Sequence, residues 1–373
     1  MSSGALAGIC VVEFAAIGPA PFCGMMLADM GADVIRIDRP GAQDPLAMNA
    51  VFGRGKRSVT LDLKSAEGQA RALDLIARAD ILIEGYRPGV MERLGLGPEP
   101  ALAARPKLVY GRVTGWGRGG TAAETAGHDL NYIAMSGALW PIGQADAPPP
   151  PPINFVGDFG GGGMLLLSGV LAAHLSALRT GQGQTVDTAM MDGALIQAAM
   201  LYSLTQDGGW SSRREDNLLD GGAPFYTTYR CADDGYLAVG AIEPRFHDVL
   251  MDGLGLPRLT AHDQMDKTRW PARRAQMAAL FASRSRRDWA ALFAGSDACV
   301  SPVLTPAEAI HHPDHLARES FVQVDGQMQP APPIRFGRTP SQRPAPAPCP
   351  GAQTQAMLAT LSGGGARVPA GQL

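Results

Sequence analysis

The first third of the chain alternates short β-branched runs with helix-length apolar patterns, and this alternation restricts the fold more than any other feature. Gly8 to Phe14 (GICVVEF) reads as a strand, Ala20 to Met30 as a helix and Asp33 to Asp38 (DVIRID) as the next strand. The unit then repeats: Ser58 to Leu63, a helix from Ala66 to Ala79, Asp80 to Glu84 (DILIE), and Lys107 to Val113 (KLVYGRV). Strands separated by helices of this length imply crossover connections. The order therefore predicts an α/β fold with a mainly parallel sheet.

With 373 residues the chain has room for about two domains. A large domain is expected over 1–187, with a stiff polyproline connector at Pro148 to Pro152 and a long helix from Met164 to Leu178. Linker helices are expected over 188–223, where an apolar run from Asp187 to Thr205 gives way to the polar DGGWSSRREDN. A smaller α+β domain is expected over 224–312. It opens on two strand-like runs, PFYTTYRC and YLAVGAIE, separated by ADDG, followed by helices. Residues 313–373 include a Pro-rich stretch, Gln329 to Pro350, and are expected to return to the first domain.

Several function classes fall away. The net charge is −3 with Lys and Arg spread along the chain, which leaves no nucleic-acid footprint. Five cysteines, an odd number without close pairs, argue for reduced thiols and against a disulfide framework or a zinc site, so no metal is expected. MSSGALAG carries no basic leader, and Met164 to Leu178, interrupted by His174, falls short of the ~20 residues a membrane span needs. The final residues, Ala370 to Leu373, are not a peroxisomal S-K-L address, so a cytoplasmic protein is expected. The first strand–helix unit mimics a dinucleotide-binding motif. Its turn, Ala15-Ala16-Ile17-Gly18-Pro19-Ala20-Pro21, lacks G-x-G-x-x-G and places prolines where a pyrophosphate needs glycines.

Three segments carry residues suited to chemistry. In Gly127-His128-Asp129-Leu130-Asn131-Tyr132 a histidine heads an apolar helix pattern. Histidine ordinarily titrates near pH ~6.5 and can shuttle protons; the alternative is an incidental His beside a capping Asp129. In Val156-Gly157-Asp158-Phe159, followed by four glycines, a carboxylate stands before a helix beside exposed backbone. The N–H groups near Asp158, Phe159 and Gly160 could hold an oxyanion, although an Asp on a Gly-rich turn is also a common cap. Glu243 ends a strand before Pro244, where it would either orient a catalytic His or start a helix. The basic residues Arg39, Arg54, Lys56, Arg57 and Lys64 bracket the second and third strands, where they form either a solvated basic face or a site for a phosphate-bearing ligand. Arg39 in particular follows a strand's carboxyl end, where open sheets bind ligands.

Taken together, VVEFAAIGPAPFCGMMLADMGADVIRIDRPG, GRGKRSVTLDLK, EGYRPGVMERLGLGP, AGHDLNYIAMSG, VGDFGGGGM and LDGGAPFYTTYRCADDGYLAVGAIEPRF resemble the α-methylacyl-CoA racemases of the family III coenzyme A transferase superfamily. The matching stretches span Leu6 to Pro306, with DACVSPVLT among them. GHDLNY discriminates within the superfamily, because transferases keep the Asp but lack this His. The resemblance implies that His128 and Asp158 are catalytic, with Glu243 supporting the His. It implies that Arg39 binds the nucleotide phosphates, with Arg87 a further ligand. Leu61, Asp62, Leu63 and Lys64, together with Gly127, Asp129, Leu130, Asn131 and Tyr132, would line the coenzyme cleft. A Rossmann-like large domain, a small domain and an interlocked homodimer follow as expectations. So do an acyl-CoA thioester substrate and no separate cofactor. Met190, Met191 and Met200 would either face varied acyl chains or fill the core. The alternative readings are a family III coenzyme A transferase using Asp158 as nucleophile, and a non-catalytic acyl-CoA-binding protein.

Overall fold

The structure is a computed structural model that describes residues 4–41 and 49–362. The terminal residues Ala370–Leu373, read above for a targeting signal, and the first three residues lie outside them. The chain forms two compact units. The first comprises Met1–Ser136, Pro152–Gln197 and Pro313–Leu373; the second comprises Gly137–Pro151 and Ala198–His312. Residues 137–151, read with the large domain, thus lie in the second unit, and residues 188–197, read as linker, lie in the first.

The first unit is built on strands β1 (Cys10–Phe14), β2 (Asp33–Asp38), β3 (Arg57–Thr60), β4 (Ile81–Glu84), β5 (Val109–Thr114) and β6 (Gln184–Ala189). They form one six-stranded sheet in the order β3-β2-β1-β4-β5-β6, and every pair is parallel. The central strands β1 and β4 are buried on both faces, which explains why they read as near-continuous apolar runs. Val11, Ile81, Ile83, Val109 and Val113 pack on one side, with Val12, Phe14, Ile35, Ile37, Leu82 and Tyr110 on the other. Helix α1 (Pro19–Asp29) starts with prolines, which are tolerated where helical N–H groups have no partner anyway. Helix α2 (Ala66–Ile76) covers the opposite face and is capped by Ser65, whose hydroxyl accepts the Gly68 N–H at 3.0 Å.

Helix α3 (Asp129–Met135) is followed by a π-helix over Phe155–Gly163 that runs on into α4 (Met164–Thr180). The π-helix and α4 together make 26 helical residues. Among the described residues this is one stretch long and apolar enough to cross a membrane, so the length argument made on Met164 to Leu178 does not hold. Its Leu166, Val170, Ala173 and Ala177 are buried in the core of this unit. Strand β6 and helix α5 (Met190–Gln197) replace the single helix expected from Asp187. β6 is a half-exposed edge strand, QTVDTA, with too few apolar residues to announce itself.

The second unit holds the hairpin β7 (Tyr226–Arg230) and β8 (Tyr236–Gly240), joined to β9 (Val300–Pro302) in an antiparallel sheet. The Cys231 N–H donates to the Gly235 carbonyl at 2.8 Å and closes the ADDG turn. Tyr229, Leu237 and Val239 pack against α6 (Pro244–Leu254), α7 (Trp270–Phe281) and α8 (Arg286–Phe293).

The C-terminal segment belongs to the first unit. After the hairpin of β10 (Phe321–Val324) and β11 (Gln327–Pro330) it runs beside the exposed edge of β3. The Gln353 N–H donates to the Ser58 carbonyl at 3.0 Å, while Gln353 Oε1 accepts the Ser58 N–H at 2.8 Å. The Thr60 N–H donates to Thr354 Oγ1 at 2.9 Å. An edge that would otherwise offer unpaired backbone is thereby covered. Helix α9 (Thr354–Ser362), which the Pro-rich composition gave no reason to expect, brings Met357 and Leu361 into the core.

Candidate active site

In a doubly wound sheet of this strand order the ligand crevice lies at the carboxyl ends of the strands, where the order reverses between β1 and β4. Arg39 directly follows β2, Leu61 to Lys64 follow β3, and Arg87 stands three residues beyond β4. Arg39, Asp62, Lys64 and Arg87 are exposed, whereas Leu61 is buried. The other basic residues are not available. Arg54 pairs with Asp29 at 2.6 Å, Lys56 with Glu13 at 2.6 Å, and Arg57 with Asp33, so these cations hold the fold together.

A residue passed over in the sequence organises this edge. Glu84, buried at the end of β4, accepts the Tyr86 N–H at 2.7 Å and bends the chain toward Arg87. Burial pushes its carboxyl up to about 7. The available signal was a lone Glu closing an apolar strand. Tyr86 in turn feels the charges of Arg39 and Asp38, so the ends of β2 and β4 share one electrostatic environment.

His128 itself, not Asp129, is the N-cap of α3, and the Asn131 side-chain oxygen accepts its N–H at 3.0 Å. The Tyr132 hydroxyl donates to the Gly127 carbonyl, and its ring meets Trp116 edge-on at 4.7 Å. These contacts hold the chain rigid on both sides of an exposed imidazole.

Asp158 does not precede a helix; it is the fourth residue of the π-helix, whose cap is Asn154. The Asn154 amide donates to Asp158 Oδ2 at 3.1 Å. The same oxygen lies over Gly18, where a Cβ would stand 3.2 Å away and where φ is +80°. Burial raises the Asp158 carboxyl above the usual range. The Asn154 hydrogen bond opposes this rise, the negative charge of Asp129 adds to it, and His128 opposes it. Asp158 and His128 therefore sense each other within the first unit. Glu243, the exposed N-cap of α6, lies in the second unit.

The oxyanion expectation changes. The Asp158 N–H is donated to Asp129 Oδ2 at 2.7 Å and the Phe159 N–H to the Asn154 carbonyl at 3.4 Å. At the glycines other parts of the protein come close. A Cβ at Gly160 would stand 2.6 Å from Gln197 Oε1, at Gly162 2.8 Å from Pro19 Cβ, and at Gly163 2.5 Å from the Phe22 ring. Across the contact, a Cβ on Gly193 of α5 would lie 2.0 Å from the Gly161 carbonyl oxygen. Met190 is buried in the core, while Met200 is exposed. Among the described residues no group of three His, Cys, Asp or Glu side chains could hold a metal ion.

The sequence model of CoA-transferase family III matches residues 6–354. The chain belongs to CoA-transferase family III. Among its relatives, the α-methylacyl-CoA racemase of Mus musculus is 45% identical over 327 residues, covering 88% of this chain and 84% of the mouse protein. That of Homo sapiens is 44% identical over 323 residues, 87% of this chain and 84% of the human one. The crystal structure of a CAIB/BAIF family protein from Brucella suis is similar with a TM-score of 0.82 and 28% identity, over 96% of this chain and 100% of that one.

Proposed function

We propose that this member of the family is an α-methylacyl-CoA racemase, interconverting the (R) and (S) forms of 2-methyl-branched acyl-CoA thioesters. The observation that carries the reading is the pairing of an exposed His128 with a partly buried Asp158 whose proton affinity burial holds above that of an ordinary carboxylate. Similarity to relatives of that name supports it. A thioester α-hydrogen is weakly acidic, so its removal needs a raised base on one face and an acid on the other. Asp158 takes the proton from C2 as the C–H electrons move onto the thioester oxygen. His128 then returns a proton to the opposite face, and the reverse reaction exchanges the roles. One of the two must start protonated. The donors left for the enolate oxygen are the first-turn N–H groups of Asp129 and Leu130, since those of Asp158 and Phe159 are engaged. Arg39 and Arg87 would hold the coenzyme phosphates. A homodimer belongs to the reading as well: Leu175, Leu178 and Ile196 leave apolar side chains of α4 and α5 exposed, which a second subunit would cover.

Incubating one enantiomer of a 2-methylacyl-CoA in deuterated water tests this. The wild type should place deuterium at C2 and approach a near-equal mixture of enantiomers. His128→Ala should lose inversion by about 10²–10⁴-fold yet retain exchange of the enantiomer whose hydrogen faces Asp158. Asp158→Asn should show the converse. Wild-type inversion in His128→Ala, or transfer of the coenzyme to a free carboxylate acceptor that depends on Asp158 alone, would replace the racemase by a transferase.

A further inference from the structure

Asp129 stands between the two proton-transfer residues, and its carboxylate has no part in the reaction as proposed. It follows the exposed His128, yet is itself only 6% exposed. Its Oδ2 accepts the Asp158 N–H at 2.7 Å; burial raises the Asp129 carboxyl, and the N–H groups of Asp158 and Gly157 oppose the rise. Its Oδ1 is buried without a hydrogen-bond partner among the described residues. The fit leaves no room for a side chain at Gly157, where a Cβ would stand 2.6 Å from Oδ2. One residue is thus bonded covalently to His128 and, through its side chain, to the backbone of Asp158.

We propose that Asp129 is a positioning residue, a clamp whose carboxylate ties the π-helix to the first turn of α3 and fixes Asp158 against His128. The inference rests on the racemase reading for its consequence, and on the hydrogen bonds alone for the clamp. A neutral side chain would meet the two N–H groups at less cost, because burying a carboxylate with one oxygen unpaired is unfavourable. The charge does something an amide cannot: it raises the proton affinity of Asp158. The charged and titratable groups facing Asp158 are His128 and Asp129 from α3, and Tyr132 with Arg87 beyond it. Asn154 from the π-helix and Gly18 from the start of α1 bring no charge. Asp129 is the one carboxylate among them.

Asp129→Asn keeps the shape and an oxygen to accept the N–H groups but removes the charge, while Asp129→Ala removes both. In full-length protein carrying ¹³C-labelled aspartate, with the Asp158 signal identified by its loss in Asp158→Asn, the Asp158 midpoint should fall by about one pH unit in Asp129→Asn. In the racemase assay the acidic limb of kcat/KM should move to lower pH in that variant. Its kcat should drop about ten-fold with KM changed less than about three-fold. Exchange on the Asp158 face should suffer more than exchange on the His128 face. Asp129→Ala should lose more kcat than Asp129→Asn, because the clamp goes too. An unmoved Asp158 midpoint in Asp129→Asn, or an unchanged pH profile with equal losses on both faces, overturns the clamp. A shifted midpoint in a protein whose wild type never exchanges C2 upholds the clamp and removes the racemase reading instead.

Discussion

The chemistry of Asp158 is set by what its side chain and backbone touch. Its carboxyl is raised by burial first, and an amide from Asn154 keeps the rise in check. The base form, needed for proton removal, is therefore lost on acidification at a higher pH than for an ordinary carboxylate. Arg39 is the opposite case, an exposed cation directly after β2 whose charge reaches Tyr86 beyond β4. If it holds coenzyme phosphate, Arg39→Ala should raise KM for an acyl-CoA about ten-fold or more, with little change for a pantetheine thioester that lacks the nucleotide. Equal effects on both substrates would take Arg39 out of the phosphate site.

At the scale of elements, the decisive contact joins the π-helix to α1 and α5. A π-helix is rare and often stands at functional sites. This one places Asp158 in its first turn, and its glycines let the neighbouring backbones approach more closely than any side chain permits. Gly193→Ala would drive a methyl group into the Gly161 carbonyl. We expect it to cost about 1–3 kcal/mol in urea unfolding and to lower kcat more than KM as the helix shifts. Gly119→Ala, with nothing within 4 Å of the added Cβ, should stay within about 0.5 kcal/mol of wild type. Equal stability of the two variants would show that the contact yields easily.

For the whole molecule, the candidate catalytic pair lies in one compact unit and Glu243 in the other. The proposed homodimer would let Glu243 serve the His128 of a second subunit. Inactive His128→Ala and inactive Glu243→Ala chains, refolded together, should then regain part of the activity, and a purified mixed dimer without activity would refute the sharing. The alternation of strands and helices, Asp33–Asp38 to the residue, and the helix headed by His128 were legible in the sequence, because local periodicity and residue type carry them, whereas Asp158, read as preceding a helix, stands inside the π-helix. β6 and α9 were not legible, since an edge strand and a docked tail draw their stability from neighbours rather than from their own pattern. The glycines shared this fate. Sequence showed that some close approach was needed at Gly160 to Gly163, but only the packed structure brings α1 and α5 to them. The carboxylate of Asp129 reads as a helix cap in one dimension. It becomes a bridge only when folding brings Asp158 to within a hydrogen bond of it, because residues 29 apart along the chain have no local relation.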